Sequence, residues 1–585
     1  MKKFDQRSQA SIAWGLLILV IVLYAVEMSH QVVLRYDTFK ATAFDLGNMD
    51  QVLWNTIHGR LFQFTNQAID WYGPPTRLAF HFEPIILPLS LLYVFHADPR
   101  ILLVFQTLAL ASGALPVFLL TRRYLREWPI LAALMAMAYL LSPALLGVNI
   151  FDFHPVALAT PLLLYAVLAL TYKRYVWFLI ACVLAAACKE DVPLTIAVFG
   201  ILVIWKYKLP RLGITLMIGG VLWSFLAFKV IMPHFYPGVQ ANNFWYRYEA
   251  LGSSPGAAIA NILVHPWILF TTFFTLDRLY YMAGLVRSVG FLPLLAPEWL
   301  LPILPGLAIN LLSTDPLLYS GVYQYNATII PFIMIAAIHG TRRLILFWQG
   351  WQHEELHDIV NGDTNGIVGA GLAPALRLTL PPSSIPHPAL PPILRPTLHF
   401  IARYKTLVLV QTGHLIAWLQ PRVLRLTLPK WRNEQWRQFS ERMAPIAKNV
   451  SVFRLQWIVF AWITVMIGLN FWLAVPQLST FWADHDPGSR EKHIQQLLAM
   501  IPPGASVSAG ANLNPHLSER QLLAVFPSVC IDSACNHTVE YVIVDLNSLT
   551  TENRAQAASV LNALSRQFRV VARAEGVVLL IRRST

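Results

Sequence analysis

Apolar runs separated by short polar, basic or aromatic stretches dominate the chain up to about residue 340. Runs at residues 11–28, 101–120, 129–148, 156–170, 176–188, 192–205, 212–232, 279–295, 299–312, 327–339 and 453–474 read as about eleven membrane segments. A helix crossing a bilayer core takes about 17–25 residues, so several are short for a full crossing. Helices are expected because lipid leaves backbone polar groups no outside partner. The runs also lack the alternation of an outer-membrane barrel. Residues 84–95 are too few for a crossing and read as re-entrant or interfacial. Residues 50–58 read as a short interfacial helix with Val52, Leu53, Trp54 and Ile57 on its apolar side.

Orientation follows from the basic clusters. With residues 84–95 kept on the external surface, Arg122-Arg123, Lys173-Arg174, Lys206 with Lys208, and Arg342-Arg343 all fall inside. Positive residues are retained on the cytoplasmic side, so the N-terminus is expected inside and the C-terminus outside. One long helix over 176–205 would bury Lys189, Glu190 and Asp191, and Pro193 favours a break, so two short helices are expected. Residues 1–343 then form a membrane core with a first external loop at 29–80. Residues 344–450, Pro-rich around 374–396 and basic beyond, read as a cytoplasmic insertion lying partly on the membrane surface. A last span covers 451–475. Residues 476–585 carry short apolar runs at Val507, 522–526, 541–544 and 570–580 and a helical stretch near 555–568, the pattern of a small external α/β domain. Cys530 and Cys535 lie there, where a disulfide can form. No internal repeat is visible.

Composition sharpens the class. The chain is 56% hydrophobic and 13% charged, with mean hydropathy +0.52; a soluble domain is about a quarter charged. This is an α-helical polytopic membrane protein. The net charge of +13 calls for no nucleic-acid partner, because Lys and Arg beside membrane segments produce the same excess. Four cysteines exclude a disulfide scaffold. The basic start and apolar run lack a small-residue cleavage site, so an uncleaved first span is expected.

Candidate chemistry concentrates at the external ends of these segments. Phe44 to Gln51 holds Asp45 and Asp50, and a Gly47-Asn48 break between them would let a loop aim both at one point. His81 and Glu83 precede Pro84, and Asp152 and His154 precede Pro155. Lys189, Glu190 and Asp191 stand together among small apolar residues, the strongest of the four signals, because charges in lipid are costly and functional. Asp45 and Asp50 suit a general base, metal ligands, or both; the carboxylates would admit a divalent cation, Mg or Mn. Each cluster has a plainer reading: helix-capping aspartates, an interfacial turn, or an ion pair fixing a helix break. Asn512, Pro515, His516 and Arg520 in the tail could face the membrane site, but a turn with a helix cap is the plainer account. Walker A, dinucleotide, nucleophile-elbow and zinc signatures are absent.

Phe44-Asp-Leu-Gly through Gly59, His81-Phe-Glu-Pro84, Phe151-Asp-Phe-His-Pro155, Lys189-Glu-Asp191 and Pro515-His-Leu-Ser-x-Arg520 together resemble an uncharacterised family of bacterial multi-spanning membrane proteins. The resemblance covers most of the chain except 344–450. That family in turn resembles, by architecture, the GT-C glycosyltransferases, which include protein mannosyltransferases and lipid A aminoarabinose transferases. The resemblance implies a GT-C-like helical core in the bacterial inner membrane and a sugar donor linked to polyprenyl phosphate. It implies transfer to an acceptor on the external face, with Asp45 as the first-loop catalytic carboxylate. Asp50, His81, Glu83, Asp152 and His154 would line the substrate cavity. Lys189 would hold the donor phosphate, with Glu190 and Asp191 fixing it or binding a metal. A transporter or lipid-handling protein without enzymatic activity is the alternative. Reporter fusions after Arg126 and Lys208 are expected to read cytoplasmic, and one after Thr585 external; an external reading at Arg126 would make 84–95 a crossing.

Overall fold

The computed structural model describes residues 6–66, 76–235, 244–360, 451–530 and 537–583. The chain separates into two units, Met1–Leu346 with Leu455–Thr585, and Phe347–Arg454. Most of the second unit, including the Pro-rich stretch at 374–396, lies outside the described residues. The account below concerns the first.

Among the described residues five helices are long and apolar enough to cross a membrane: Arg7–Asp37, Pro99–Tyr124, Pro210–Phe235, Ile330–Gln349 and Arg454–Leu478. Two bent pairs raise the number to seven if each counts as one crossing. They are Pro129–Leu140 with Pro143–Ile150, bent by 46°, and Trp245–Val264 with Trp267–Phe273, bent by 105°. Ile86–Phe95, Pro155–Thr171, Tyr175–Ala186 and Val192–Tyr207 are shorter apolar helices.

Two expected segments are corrected. Residues 279–295 and 299–312 do not form long helices. Leu276–Arg287 ends near Gly290 and Phe291, both with positive φ, and is followed by short 3-10 segments at Leu292–Leu295 and Pro297–Ile303 and a short α-helix, Leu304–Leu311. Pro293, Pro297, Pro302 and Pro305 interrupt this stretch, each removing a backbone donor and crowding the preceding turn. Between 233 and 275 lies the pair bent by 105°. The stretch from 176 to 205 is broken, with Tyr175–Ala186 and Val192–Tyr207 flanking the three charged residues. Val192–Tyr207 packs closely on Pro210–Leu226. A Cβ at Gly220 would come within 2.3 Å of the Pro193 carbonyl oxygen, so only glycine permits this approach. Ser224, on the second of these helices, donates to the Glu190 carbonyl at 2.8 Å and holds the break in place.

The C-terminal part forms a five-stranded sheet. Its strands are β1 (Val507–Ala509), β2 (Leu523–Val525), β3 (Tyr541–Asp545), β4 (Phe568–Ala574) and β5 (Val577–Arg582), in the order β2-β1-β3-β5-β4. β1 is parallel to β2 and β3, and β5 is antiparallel to β3 and β4. The apolar run 570–580 is thus a hairpin turning at Glu575-Gly576, both with positive φ. Strand side chains alternate between two cores. Ile543 and Leu579 join Ile494 and Leu497 of helix Ser489–Ala499; Val542, Val544 and Leu580 join Leu564 of helix Thr551–Leu564. Cys530 is disulfide-bonded, while its expected partner Cys535 lies outside the described residues.

The sheet domain is held against the segment after the first helix. Phe39 inserts into the first of the two cores. His516 stacks on Tyr36 at 4.0 Å and contacts Phe39 at 4.2 Å. Thr65 pairs with Leu523 of β2 through two 2.8 Å bonds, its hydroxyl donating to the carbonyl and accepting from the amide. Gln51 donates to the Arg520 carbonyl at 3.0 Å. Asp50 is wholly buried, accepting from the Tyr93 hydroxyl at 2.5 Å and from the Ser518 hydroxyl at 2.6 Å. The helix over 48–57 is therefore not interfacial: Val52 and Leu53 are fully buried.

These contacts carry a pH signature. Burial, then the charge of Glu519, raises Asp50 well above the ordinary carboxylate range, against the lowering bonds from Ser518 and Tyr93. Burial, then Asp98, pushes Glu519 up to about 7. Arg100, the facing cation, is paired with Asp37 and Asp98, and Tyr36 faces the same cluster. The folded state holds these two protons more tightly than the unfolded chain, so the stability they contribute is greatest in acid. It falls as pH rises from the ordinary carboxylate value, about 4, through the raised ones. Thermal unfolding between about pH 5 and 8 is expected to show this loss in wild type and a flatter profile in Glu519→Gln.

Candidate functional site

Asp45 sits on a single π-helical turn, Ala43–Gly47, that runs directly into helix Asn48–Ile57. No break separates it from Asp50. The two side chains face opposite ways, Asp45 meeting His154 and Asp50 meeting Ser518. This corrects the expectation that both aspartates line one cavity: Asp50 faces the sheet domain, and Asp45 faces the membrane core.

Around Asp45 the core supplies a connected set of polar groups. His154 Nε2 lies 2.9 Å from Asp45 Oδ1, and the Thr42 hydroxyl donates to Oδ2 at 3.0 Å. Thr42 also meets Asp152, its amide donating at 2.9 Å and its hydroxyl approaching at 3.1 Å. Arg35 donates from Nε to Asp152 at 3.3 Å and from Nη1 to the Phe481 carbonyl at 3.1 Å. The Asp152 backbone is left-handed, with φ 50°, a conformation Asp tolerates better than most residues. Gln106, in the middle of an apolar helix, holds that bend: it donates to the Asp152 carbonyl and accepts from the His154 amide, both at 2.9 Å.

The other expected residues form a second group. His81 Nδ1 lies 2.9 Å from Glu190 Oε1, and the Phe82 amide donates to Oε2 at 3.1 Å. Arg77 clasps Glu83 with two bonds at 2.8 and 3.3 Å. Lys189 donates to Asp191 at 3.3 Å. Glu190 thus serves His81 rather than pairing with Lys189. The Ile85 amide donates to the Ala187 carbonyl at 3.0 Å and joins the two motifs through the backbone. Arg77 acts electrostatically on Asp45. Tyr325 lies within electrostatic reach of Arg247, Lys189 and Asp45 together, which links the two groups.

Every carboxylate here has a partner, but they are not equally accessible. The side chains of Asp152, Glu83, Glu190 and Asp191 are 1, 4, 6 and 19% exposed, against 25% for Asp45. Burial alone would raise Asp45. The bond and charge of His154, then Thr42 and Arg77, outweigh burial and hold it below the ordinary range. Asp152 moves the other way, because burial and the Asp45 charge exceed the effect of Arg35. Asp45 is the most exposed of these five carboxylates and is held in its charged form. A divalent cation does not fit this donor set. Among the described residues no group of three or more His, Cys, Asp or Glu side chains is arranged to hold one, and the carboxylates meet cations, histidines and hydroxyls instead.

Arg35, Thr42, Gln106, Arg247 and Tyr325 escaped the sequence reading. A lone Gln in an apolar helix was the available signal for Gln106. Arg247 lies on the turn Trp245–Leu251, beneath the rings of Phe244 and Tyr246. Its Nε is 3.1 Å from Asp315 but makes no hydrogen bond among the described residues.

Residues 35–380 and 434–579 match the family model described as predicted membrane protein (DUF2079). The chain belongs to this family. The unmatched gap falls within the segment read as an insertion, and no curated protein sequence matches. Among solved structures, the chain is similar to ArnT from Cupriavidus metallidurans bound to undecaprenyl phosphate, at 15% identity and TM-score 0.43, covering 96% of this chain and 97% of that one. It is also similar to the archaeal oligosaccharyltransferase AglB from Archaeoglobus fulgidus, in complex with an inhibitory peptide and a dolichol-phosphate. There the identity is 12% and the TM-score 0.41, covering 95% of this chain and 72% of that one. At scores this low the likeness carries nothing about chemistry in this DUF2079 protein; its own side chains must do so.

Arg35→Met would leave Asp152 buried and unpaired. Breaking a buried pair costs about 3–5 kcal/mol, so a large fall in unfolding temperature is expected in detergent. Arg35→Met with Asp152→Asn should recover most of it.

Proposed function

We propose that this protein is a membrane glycosyltransferase of the GT-C type, using a sugar linked to polyprenyl phosphate. The reading rests on one observation above all: Asp45, the most exposed of the grouped carboxylates, is held charged and is oriented by His154 and Thr42. Lys189 and Arg247, both near Tyr325, are the cations for a phosphate.

In this reaction the acceptor's hydroxyl or amine donates a hydrogen bond to Asp45, which orients its lone pair toward the anomeric carbon. The bond from that carbon to the phosphate oxygen breaks, and its electron pair leaves with the phosphate. Lys189 and Arg247 stabilise the developing charge. The new bond to the acceptor forms, and the acceptor's proton passes to Asp45. A carboxylate held below its ordinary range is a weak base. It therefore takes the proton late, once bonding to carbon has made that proton acidic, and earlier serves to orient the acceptor. His154 keeps the carboxylate in position; its Nδ1 is buried without a partner among the described residues. Asp152, His81, Glu83, Glu190 and Asp191 shape and neutralise the walls. Placing the site on the external face of the inner membrane follows from the basic clusters and belongs to the same proposal.

The test is release of polyprenyl phosphate from a panel of polyprenyl-phosphate sugars by purified protein in lipid vesicles. Asp45→Asn is expected to lower the rate about 10²–10⁴-fold, and Lys189→Ala and Arg247→Ala to raise KM for the donor. The acid limb of the wild-type profile should not show a group at or above about pH 4 that Asp45→Asn removes. Unimpaired turnover by Asp45→Asn would refute the catalytic role. Tight binding of polyprenyl phosphate with no turnover of any donor would favour the lipid-handling alternative.

A further inference from the structure

The turn that carries Asp45 is gripped from behind by two asparagines far apart in sequence. Asn66 Nδ2 donates to Asn514 Oδ1, and Asn514 Nδ2 donates to Asn66 Oδ1, both at 2.7 Å. Both side chains are buried. Asn66 Nδ2 also donates to the Ala43 carbonyl at 3.1 Å, the first residue of the turn. At the other end, a Cβ on Gly47 would come 2.5 Å from Asn514 Oδ1 and 3.1 Å from Asn66 Nδ2. The amide pair therefore lies flat against the turn, touching its first and last residues, while Asp45 projects from the opposite side toward His154.

A single π turn is intrinsically unfavourable and persists where its surroundings hold it. Here the Gly47 amide closes the wide turn on the Thr42 carbonyl at 3.1 Å. Thr42 is the residue whose hydroxyl meets both Asp45 and Asp152. Relaxing the turn to ordinary α-helix would rotate Asp45 away from both partners. We propose that the Asn66–Asn514 pair, half of it supplied by the sheet domain, is a positioning device that keeps Asp45 in its working geometry. The sheet domain would then complete the active site without touching substrate. The proposal rests on the reading of Asp45 as the catalytic carboxylate, but its structural half stands apart from that reading.

Two readouts test it on the full-length protein in lipid vesicles. Hydrogen exchange over residues 42–48 reports the turn directly. Asn514→Ala is expected to speed it at least about tenfold, the effect of losing the two buried hydrogen bonds that hold Asn66 against the turn, while Pro99–Tyr124 stays unchanged. Catalysis reports the consequence. Asn514→Ala is expected to lower kcat about 10²-fold, as a displacement near 1 Å can, with KM for the donor unchanged. Gly47→Ala should act similarly, because the new methyl collides with Asn514. Gly47→Ala with Asn514→Ala should be no worse than Asn514→Ala alone, since the collision partner is gone. That non-additivity also separates displacement of the turn from a general loss of folding. Unchanged exchange over 42–48 in Asn514→Ala overturns the proposal. So does full kcat in Asn514→Ala when Asp45→Asn is inactive. If Asp45→Asn is itself active, the catalytic reading fails and the exchange result alone decides the clamp.

Discussion

A carboxylate taken out of water costs several kcal/mol unless cations or donors meet it. This chain buries a group of them close together. Asp152 is met by Arg35 from the end of the first helix, Glu83 by Arg77 from its own loop, Glu190 by His81, and Asp191 by Lys189. Two of these pairs, Arg35–Asp152 and His81–Glu190, join segments distant in sequence, so neutralising charge also fixes which helix ends meet. The geometry around Asp45 follows from it. Once Asp152 is held by Arg35 and by the Thr42 amide, Thr42 has one hydroxyl left to share with Asp45, and His154 approaches from the loop that Gln106 holds bent.

The loop after the first helix works in two directions. Its π turn presents Asp45 to the membrane core, and the following helix presents Asp50 and Gln51 to the sheet domain. The conspicuous motif from Phe44 to Gly59 is therefore mostly an interface. Gly47 admits Asn514, Asp50 takes Ser518, and Gln51 takes the Arg520 carbonyl. The motif from Pro515 to Arg520 is the other half of that interface, a role its turn-like sequence did not announce. Two motifs separated by the whole membrane core are thus halves of one contact.

Membrane character, the charged break between two short helices and the α/β pattern of the tail were all legible in the sequence. Each depends on local properties: the length of apolar runs, three ionisable residues beside Pro193, and short apolar runs separated by turn residues. Proline-rich stretches misled where composition outweighed backbone chemistry. Residues 279–312 are apolar enough for long helices, but four prolines among them leave short pieces instead: the end of Leu276–Arg287, two 3-10 segments and Leu304–Leu311. The candidate residues were also visible, because charge is scarce in such a chain and stands out.

What hydropathy could not supply was direction. Asp45 and Asp50 look equivalent in sequence, and only the continuous helix between them turns one toward the core and the other toward the sheet. Partners were equally hidden. Nothing local links Arg35 to Asp152, His81 to Glu190, or Asn66 to Asn514; their pairing depends on which helix ends the fold brings together. By itself the sequence determined that this chain is a helical membrane protein with a small α/β tail and a few concentrated charges, because solvation acts residue by residue. Only tertiary structure decided which of those charges is neutralised and which stays open, because that depends on what each side chain meets.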